Sequence, residues 1–322
     1  MPQPVFSIIA PCYNERDNIP KLYARIKEVM DGIGDTWELI LINDGSRDDS
    51  LDMMLNVRES DERVKVINFA RNFGHQTAVT AGMDYSTGEA VVLIDADLQD
   101  PPEVIAQMAE EWRAGFHVVY GVRSERLGES RFKKWTAKLF YRIIYRITEV
   151  EIPLDTGDFR LMDRRVVEAV NAMREHNRFV RGLTSWVGFR QTGVTYVRPP
   201  REMGETNYPI RKMVRLALDA VTGFSFFPLQ VAIYLSLILA FISIASIPVV
   251  FVLRLMTNQV FLEGQATTLS VVLLLTAFQL LFFFILGQYM ARIYDETRGR
   301  PLYVVADTYG IAEGGRKKNH ES

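Results

Sequence analysis

Two long stretches without a charged residue constrain the fold more than any other feature of this sequence. The first runs from Phe226 to Leu253 and the second from Leu269 to about Tyr289. A helix that crosses a membrane needs about 20 consecutive apolar residues, and the core helix of a soluble protein rarely lacks charge over such a length. The sequence therefore predicts two transmembrane helices, which follow a soluble region that ends near Gly223.

Basic residues flank these stretches and predict their orientation. The connection between them carries only Arg254 and Glu263 as charged residues, whereas the outer flanks carry Arg211, Lys212, Arg215, Arg292, Arg298, Arg300, Lys317 and Lys318. Because basic residues are retained on the cytoplasmic side, both ends are predicted to be cytoplasmic. The N-terminal residues show no signal peptide. We expect a multi-pass protein of the plasma (inner) membrane with its soluble domain in the cytoplasm.

The chain is thus predicted to have four parts. Residues 1–209 form a soluble domain, 225–290 a transmembrane hairpin and 291–322 a cytoplasmic tail. Between them, 210–224 mixes apolar residues with Arg and Lys, which is typical of an amphipathic helix in the membrane interface. An ordinary helix of the soluble domain is the alternative for this segment. Isolated spans often pack helix against helix, so a homo-oligomer is expected.

Charge and cysteine content exclude some classes of protein. The chain has 322 residues, with 37 Lys and Arg against 39 Asp and Glu, and a net charge of −2. Nucleic-acid binders usually carry a basic excess, so no nucleic-acid partner is expected. Cys12 is the single cysteine, which excludes an internal disulfide and a cysteine-rich zinc site.

The soluble part alternates apolar runs with helical segments. Strands are predicted over 5–10, 37–42, 64–69 and 90–94, and helices over 19–30, 50–58 and 75–85. This alternation predicts an α/β fold with a mostly parallel sheet and helices on both faces. Ligands of such sheets bind outside the carboxyl ends of the strands. Those ends carry polar residues here, namely Asn14, Glu15, Asp44, Arg71, Asn72, Asp95 and Asp97.

The sequence Asp95-Ala96-Asp97 carries the chemistry of this edge. Two carboxylates in this spacing can face one cavity if the second leaves the regular strand, and Mg²⁺ is commonly held by one or two carboxylates together with substrate phosphates. An isolated pair of this kind is more often a solvated turn. Asp44 and the acidic run from Asp97 to Glu103 favour a metal site. Neither a G-x-G-x-x-G motif after the first strand nor a P-loop is present.

An ordered set of motifs resembles one enzyme family. The set comprises Pro11-Cys12-Tyr13-Asn14-Glu15, Asn43-Asp44-Gly45-Ser46, Arg71-Asn72-Phe73-Gly74-His75, Asp95 to Pro102, Gly157 to Leu161, and Arg292 to Glu296. The chain resembles family-2 glycosyltransferases of the GT-A fold, in the branch that transfers sugars to polyprenyl phosphates. This branch includes dolichyl-phosphate mannose synthases and bactoprenol glucosyl transferases. The resemblance covers nearly the whole chain, the predicted spans included.

The resemblance implies a role for each of these residues. Pro11, Tyr13 and Glu15 should border the base and ribose of a nucleotide sugar, and Asp44 should contact the base. Asp95, with Ala96 and Gln99 beside it, should bind the donor. Asp97 should hold Mg²⁺ or Mn²⁺ on the diphosphate, and Asp158 stands where the family places a catalytic base. A helix cap is the alternative for Asp158, and Arg160 is expected to meet a phosphate.

Other basic residues are candidates for binding the acceptor phosphate or the leaving diphosphate. Arg123 and Arg131 belong to a basic cluster with Arg126, Lys133 and Lys134, for which a solvated helix face is the alternative. Related enzymes often have a lysine where Asn207 stands, and Arg201 or Lys212 is expected to replace its phosphate contact. His75 has no second histidine at metal spacing, and a structural role or a contact with the residues that surround the metal is expected for it.

The resemblance implies an inverting transfer of a hexose to undecaprenyl or another polyprenyl phosphate at the cytoplasmic membrane face. The second pKa of a phosphate monoester is about 6, so the acceptor oxygen is already ionised near neutral pH. Asp158 can therefore orient the attack without removing a proton. Glucose from a UDP-sugar is favoured. Mannose, galactose, N-acetylhexosamine and aminoarabinose donors, and guanosine as the base, stay open.

Two competing interpretations lack their expected features. A processive polysaccharide synthase of the same fold would carry a Gln-x-x-Arg-Trp motif and more spans, and the sequence has no such motif. A non-catalytic nucleotide-sugar sensor would be expected to lose Asp97 or Asp158, and both residues are present.

Overall fold

A computed structural model describes residues 3–123, 156–197, 227–257 and 265–311 of the chain. The described residues divide into two compact units. The first unit holds those up to residue 197 together with 300–311, and it contains a sheet with its flanking helices. The second unit holds 227–257 and 265–299, which are helical for most of their length.

The first unit is built on one eight-stranded sheet. Its strands are β1 (Phe6–Cys12), β2 (Trp37–Asn43), β3 (Val64–Phe69), β4 (Ala90–Leu93), β5 (Val118–Arg123), β6 (Thr156–Asp163), β7 (Gln191–Tyr196) and β8 (Val305–Tyr309). Their order is β7-β5-β6-β4-β1-β2-β3-β8. Strand β6 runs antiparallel to β4 and β5, and β8 runs antiparallel to β3. The other pairs are parallel.

Helices connect these strands or follow them. The described helices are α1 (Ile19–Ile33), α2 (Ser50–Ser60), α3 (His75–Tyr85), α4 (Val104–Arg113), α5 (Arg164–Ala172), α6 (Val180–Trp186), α7 (Phe227–Thr257) and α8 (Gln265–Thr297). The first six belong to the sheet unit, and α7 and α8 belong to the second unit.

The central strands are buried on both faces. Every residue of β1 and β2 is buried, and the two strands run parallel with Phe6 opposite Trp37. Strands covered by helices on both sides read as continuous apolar runs, which is why these segments lack alternation. Helix α3 contacts both strands, and this contact places its first residues beside their carboxyl ends.

The predicted α/β fold with a mostly parallel sheet is confirmed. Strand β3 and helix α3 have the predicted bounds, and the other elements predicted up to residue 94 differ by at most three residues at an end. Hydrophobic runs and turn residues determine these elements locally, and the structure forms them where the patterns place them.

The C-terminal third differs from the prediction in two respects. Among the described residues, Val271–Thr297 is the one segment long and apolar enough to cross a membrane. The apolar segment of α7, Leu229–Leu239, is shorter than a membrane crossing requires. The prediction of two transmembrane helices is therefore not confirmed. In addition, α8 continues to Thr297 and β8 joins the sheet, although 291–322 was expected to be a tail. Residues 210–224 lie outside the described part of the chain.

Candidate active site

The turn after β1 is held in place by the turn after β2. Asn14 has a left-handed backbone conformation with φ of 57°. Its backbone N–H donates to Ser46 Oγ at 3.0 Å, and its side-chain oxygen accepts from the N–H of Arg47 at 2.8 Å. Asparagine tolerates this conformation better than most residues. The turn leaves Tyr13 with 41% of its surface exposed at the carboxyl end of β1.

Two other residues predicted to border the donor lie in the same region. Pro11 is buried within β1, opposite Ile42 of β2. Glu15 accepts a hydrogen bond from the side chain of Asn18 at 2.6 Å, and its N–H donates to Ser50 Oγ at 2.9 Å. The structure therefore brings Pro11, Tyr13 and Glu15 together at one sheet edge. Their contact with a nucleotide stays a prediction.

Asp44 is buried and fixes the loop that precedes α3. Its carboxylate accepts hydrogen bonds from the N–H groups of Phe73 at 2.7 Å and Gly74 at 3.0 Å. Burial raises the pKa of Asp44, and those two N–H groups oppose the rise. With only 3% of its surface exposed, Asp44 has a structural role in this loop. The contact of Asp44 with the nucleotide base stays a prediction.

Gly45 allows this loop to approach closely. It has a left-handed conformation with φ of 64°. A Cβ atom at this position would lie 2.4 Å from the backbone N of Asn72 and 2.5 Å from the carbonyl carbon of Arg71. Glycine adopts a left-handed conformation without strain, and it has no Cβ atom to clash with the neighbouring backbone. The Asn43-Asp44-Gly45-Ser46 motif is thus the support on which the 71–75 loop rests.

The Asp95-Ala96-Asp97 sequence forms the turn that leaves β4. Leu98 has a left-handed conformation with φ of 60°, which is unfavourable for leucine. Strain of this kind often marks a functional site. Asp97 accepts a hydrogen bond from the N–H of Gln99 at 3.1 Å, and Asp97 is partly exposed. The second carboxylate therefore leaves the regular strand, as the metal-site prediction requires.

Asp158 on β6 lies beside this turn and accepts contacts from three side chains. Gln76 Nε2 donates to Asp158 Oδ2 at 2.8 Å, and Arg181 Nη2 lies 3.2 Å from Oδ1. His75 Nε2 lies 3.3 Å from Asp158 Oδ2 and 3.6 Å from Asp95 Oδ1. The structure thus joins Asp95 and Asp158 through one imidazole.

The charges in this cluster shift the pKa values of its members in opposite directions. Burial raises the pKa of Asp95 to about 6, although the charge of His75 opposes it. For Asp158, burial is outweighed by the hydrogen bond with His75 and the charges of Arg181 and His75, so its pKa lies well below the usual range. For His75, burial is outweighed by Asp158 and Asp95, so its pKa rises to about 9. At neutral pH His75 is therefore an imidazolium and Asp158 a carboxylate.

Arg160 does not face the open side of this site. It is only 2% exposed. Its Nε donates to the carbonyl oxygen of Asp158 at 3.2 Å, its Nη2 donates to that of Gly157 at 3.1 Å, and its Nη1 donates to Thr184. This burial argues against the predicted phosphate contact, because the guanidinium is enclosed and its three nitrogens are used within the protein. Arg160 instead fastens β6 to α6.

Arg123 supports the far end of the acidic turn. Its Nε lies 3.4 Å from the hydroxyl of Tyr196, and that hydroxyl donates to the buried carboxylate of Asp100. Burial lowers the pKa of Arg123, but the hydrogen bond with Tyr196 and the nearby carboxylates Asp100 and Asp95 raise it overall. Arg123, the last residue of β5, thus lies near the carboxylates of Asp100 and Asp95. Its contact with a phosphate stays a prediction.

Several predicted residues lie outside the described residues. These are Arg131, Arg201, Arg126, Lys133, Lys134 and Lys212. Their predicted roles are not tested.

The residues present fit a divalent cation that is held partly by substrate. In the described part of the chain, no three His, Cys, Asp or Glu side chains come together as a closed metal site. Asp97 instead offers a partly exposed carboxylate at the sheet edge. Hard cations such as Mg²⁺ use one or two carboxylates and complete their coordination with phosphate oxygens and water. This donor set suits Mg²⁺ or Mn²⁺ better than zinc.

Two members of the site were not identified from the sequence. Gln76 and Arg181 contact Asp158 from α3 and α6. Gln76 directly follows the Arg71-Asn72-Phe73-Gly74-His75 motif, and this neighbourhood was the signal that could have pointed to it. Arg181 is not next to any of the motifs, so the sequence around it gave no indication that it contacts Asp158.

Comparison with known proteins identifies the family of this chain. Residues 7–170 match glycosyl transferase family 2. The chain is 48% identical over 306 residues to an uncharacterized glycosyltransferase, YkcC, of Bacillus subtilis, with 95% of this chain and 94% of the relative covered. It is 39% identical over 300 residues to the bactoprenol glucosyl transferase of Shigella phage SfX, with 93% and 98% covered.

A third relative is the prophage bactoprenol glucosyl transferase homolog of Escherichia coli, which is 37% identical over 303 residues, with 93% of this chain and 97% of the relative covered. The family match takes in the sheet from β1 to β6, the turns that carry Asp44 and Asp97, and Asp158 on β6. The chain is a glycosyltransferase and belongs to glycosyl transferase family 2.

Proposed function

We propose that this protein transfers glucose from UDP-glucose to a polyprenyl phosphate, such as undecaprenyl phosphate, at the cytoplasmic face of a membrane. The product is a polyprenyl-phosphate sugar. The observation that carries the proposal is the meeting of Asp95, His75 and Asp158 at one sheet edge, with the partly exposed carboxylate of Asp97 in the same turn as Asp95. This edge belongs to a chain that aligns over nearly its whole length with proteins named bactoprenol glucosyl transferase.

The donor is proposed to lie across the carboxyl ends of β1, β2 and β4. Tyr13 is exposed there and offers a ring for stacking against the base. Pro11, Glu15 and Asp44 shape the base and ribose side, and Asp95, Ala96 and Gln99 lie under the sugar and diphosphate. Ligands of parallel sheets occupy this edge because loops, and not regular pairing, follow the strand ends.

Asp97 is proposed to hold Mg²⁺ or Mn²⁺ on the diphosphate of the donor. The cation would neutralise the charge that grows on the departing nucleotide diphosphate. Arg123 reaches the same region from β5 and would add a fixed positive charge. Arg131 and Arg201 are proposed to contact the acceptor or the diphosphate, and this part of the proposal rests on the sequence alone.

The acceptor phosphate is proposed to attack the anomeric carbon in one displacement. A bond forms from a phosphate oxygen to that carbon, and the bond to the nucleotide diphosphate breaks, with inversion at the carbon. A phosphate monoester is largely ionised at neutral pH, so no proton has to be removed. The lowered pKa of Asp158 makes it a weak base, which fits a reaction in which no proton has to be removed from the acceptor.

The long helices are proposed to hold the active site near lipid. Val271–Thr297 suits a membrane crossing by length and composition, and we propose that α7 provides the second span of a hairpin with both ends cytoplasmic. A membrane position confines the enzyme and its lipid substrate to one surface, which favours their encounter. Fusion of a reporter to the 258–264 connection tests the topology, and a cytoplasmic signal from it would contradict the hairpin.

The transfer itself is tested with purified full-length protein in detergent. Undecaprenyl phosphate, Mg²⁺ or Mn²⁺ and a panel of radiolabelled nucleotide sugars are supplied, and label is followed into the organic phase. We expect label from UDP-glucose, and its loss when EDTA is added. Label from a different donor would correct the sugar, and no lipid-linked label from any donor would overturn the proposal.

A further inference from the structure

His75 is the most exposed side chain of the cluster around Asp158. Its side chain is 43% exposed, compared with 24% for Arg181 and 16% for Asp158. His75 is the first residue of α3, and the preceding Gly74 has φ of 99°. Asp44 fixes the loop before His75 by accepting hydrogen bonds from the N–H groups of Phe73 and Gly74. The imidazole therefore occupies a defined position on the open side of the site.

The oxygens of Asp158 are already engaged within the protein. Oδ2 accepts from Gln76 at 2.8 Å and Oδ1 meets Arg181 at 3.2 Å. The amide of Gln76 is fixed in its turn, because its Oε1 accepts from the backbone N–H of Val180 at 2.9 Å. A reversed amide would place its oxygen against a carboxylate and its NH₂ against an N–H, so both hydrogen bonds would be lost.

The two nitrogens of His75 have different surroundings. Nε2 lies between Asp158 and Asp95, at 3.3 and 3.6 Å. Within the described ranges, Nδ1 makes no hydrogen bond. An imidazolium has two N–H donors, so one donor is directed to the carboxylates and the other is left for a ligand. A carboxylate behind a histidine fixes the orientation of the ring and favours its charged form.

We propose that His75, held by Asp158 and Asp95, donates a hydrogen bond from Nδ1 to a phosphate oxygen of a substrate, and that Asp158 acts through His75. This rests on the proposed function. In this arrangement His75 touches the substrate, whereas Asp158, Gln76 and Arg181 are positioning residues. The phosphate belongs either to the lipid acceptor or to the diphosphate of the donor, and the two are distinguished by experiment.

Charge balance is compatible with a bound phosphate. The carboxylates that act on His75 are Asp158, Asp95 and Asp44, and Asp97 and Asp100 act on Asp95. The guanidinium groups of Arg181 and Arg160 oppose them at Asp158, that of Arg71 at Asp44, and that of Arg123 beside Asp95 and Asp100. Arg160 contacts the backbone of Asp158 from the buried side, and Arg181 contacts its carboxylate. The charge of His75 is therefore not consumed by Asp158 alone. Charge-assisted hydrogen bonds to phosphate are among the stronger polar contacts.

The first test compares His75→Gln and His75→Ala with the wild-type protein in the lipid transfer assay. Loss of a hydrogen bond to a charged group is expected to lower kcat/KM about 10-fold to 100-fold. His176→Ala is the matched histidine control and is expected to keep full activity. Thermal unfolding of each variant shows whether it is folded. A folded His75→Gln protein with kcat/KM within twofold of wild type would overturn the proposal.

Binding measurements identify the phosphate. Calorimetry with UDP and UDP-glucose reports the donor side, and the KM for undecaprenyl phosphate reports the acceptor side. Weaker UDP binding in His75→Gln assigns the contact to the donor diphosphate. A raised KM for the lipid with unchanged UDP binding assigns it to the acceptor. A change in neither, with kcat also unchanged, contradicts any phosphate contact.

A double-mutant cycle tests whether Asp158 acts through His75. If it does, Asp158→Asn has little further effect in a His75→Gln protein, because residues that act as a unit are not additive. If the two losses multiply, Asp158 acts on the substrate directly and the second half of the proposal fails.

A readout without turnover separates this proposal from the proposed function. The chain has four histidines, so the His75 ring signal can be assigned by NMR with the His75→Gln variant. Asp158→Asn is expected to lower the pKa of His75 by at least about one pH unit, and the signal of His176 should not move. An unchanged His75 signal refutes the coupling. If wild-type protein makes no lipid-linked sugar, the proposed function fails, and the phosphate contact is still judged by UDP binding and by inorganic phosphate shifting the His75 signal.

Discussion

The hydroxyl of Tyr303 donates a hydrogen bond to Asp84 at 2.7 Å, and so joins the segment after α8 to the end of α3. Arg174 holds the same carboxylate with two contacts of 3.0 Å. The ring of Tyr303 stacks on Phe69 of β3 with 5.2 Å between centroids. The C-terminal segment is therefore fastened to the sheet unit by side chains as well as by the pairing of β8 with β3.

Tyr303→Phe should lower the free energy of unfolding by about 1–2 kcal/mol. The change removes one hydrogen bond to a charged group while the ring stack stays. Chemical unfolding followed by tyrosine and tryptophan fluorescence measures it. Tyr294→Phe is the matched control, because that ring is 61% exposed, and it should change the stability by less than about 0.5 kcal/mol. Equal effects of the two variants would contradict the role of the Asp84 contact.

Gly45→Ala should reduce transferase activity strongly. The added methyl would meet the backbone of Asn72 at 2.4 Å, and the loop that carries His75 would have to move. Displacement of a positioned group by about 1 Å can reduce a rate about 100-fold. Gly32→Ala, with no atom within 4 Å of the new methyl, is the control, and it should leave activity unchanged and raise stability by about 0.5–1 kcal/mol. Wild-type activity in Gly45→Ala would show that the loop tolerates the shift.

Asp97→Asn should abolish lipid-linked product while the fold is retained. The neutral amide keeps the shape of the side chain but loses the charge that holds a divalent cation. Activity is measured over a range of Mn²⁺ and Mg²⁺ concentrations. Asp52→Asn on the exposed face of α2 is the control, and its activity should equal that of wild type. Normal turnover by Asp97→Asn would refute the metal assignment.

The contribution of His75 to stability should depend on pH in a defined direction. The pKa of His75 rises from 6.5 to about 9 in the folded protein, because the hydrogen bond with Asp158 and the charge of Asp95 outweigh burial. A raised pKa gives stability that is fully present below pH 6.5 and is lost as the pH rises through 9. The difference in Tm between wild type and His75→Gln should therefore be largest near pH 6 and vanish above pH 9. A difference that does not vary with pH would argue against a charged His75.

Local patterns were sufficient to predict the first half of the sheet and part of the site. Strand β3 and helix α3 lie within the predicted bounds because each has its own hydrophobic periodicity and its own turn residues. Asp97 and Asp158 were singled out by motif, and the structure pairs β4, which the Asp97 turn follows, with β6, which carries Asp158. The strands, helices and motifs of this part depend on residues that are close together in the sequence, so they can be recognised from one sequence alone.

Features that depend on distant pairs were not predicted. The contact of Gln76 with Asp158 joins residues 82 positions apart, and no local pattern encodes it. Strand β8 is short and mostly exposed, so it lacks the apolar signal of a core strand, and its pairing with β3 arises from the tertiary fold. The expected phosphate contact of Arg160 came from its neighbour Asp158, but the guanidinium is buried against α6, where it contacts Thr184, a partner 24 residues away.

The position of β8 has a consequence for the order in which the protein is made. Strand β3 is synthesised more than 230 residues before its partner, and both long helices leave the ribosome in between. Until the last strand emerges, the growing chain presents an unpaired sheet edge, the feature that promotes association between chains. Pairing of this edge of the sheet therefore has to wait until both long helices have been made, and a chain that stops before β8 would keep the edge unpaired.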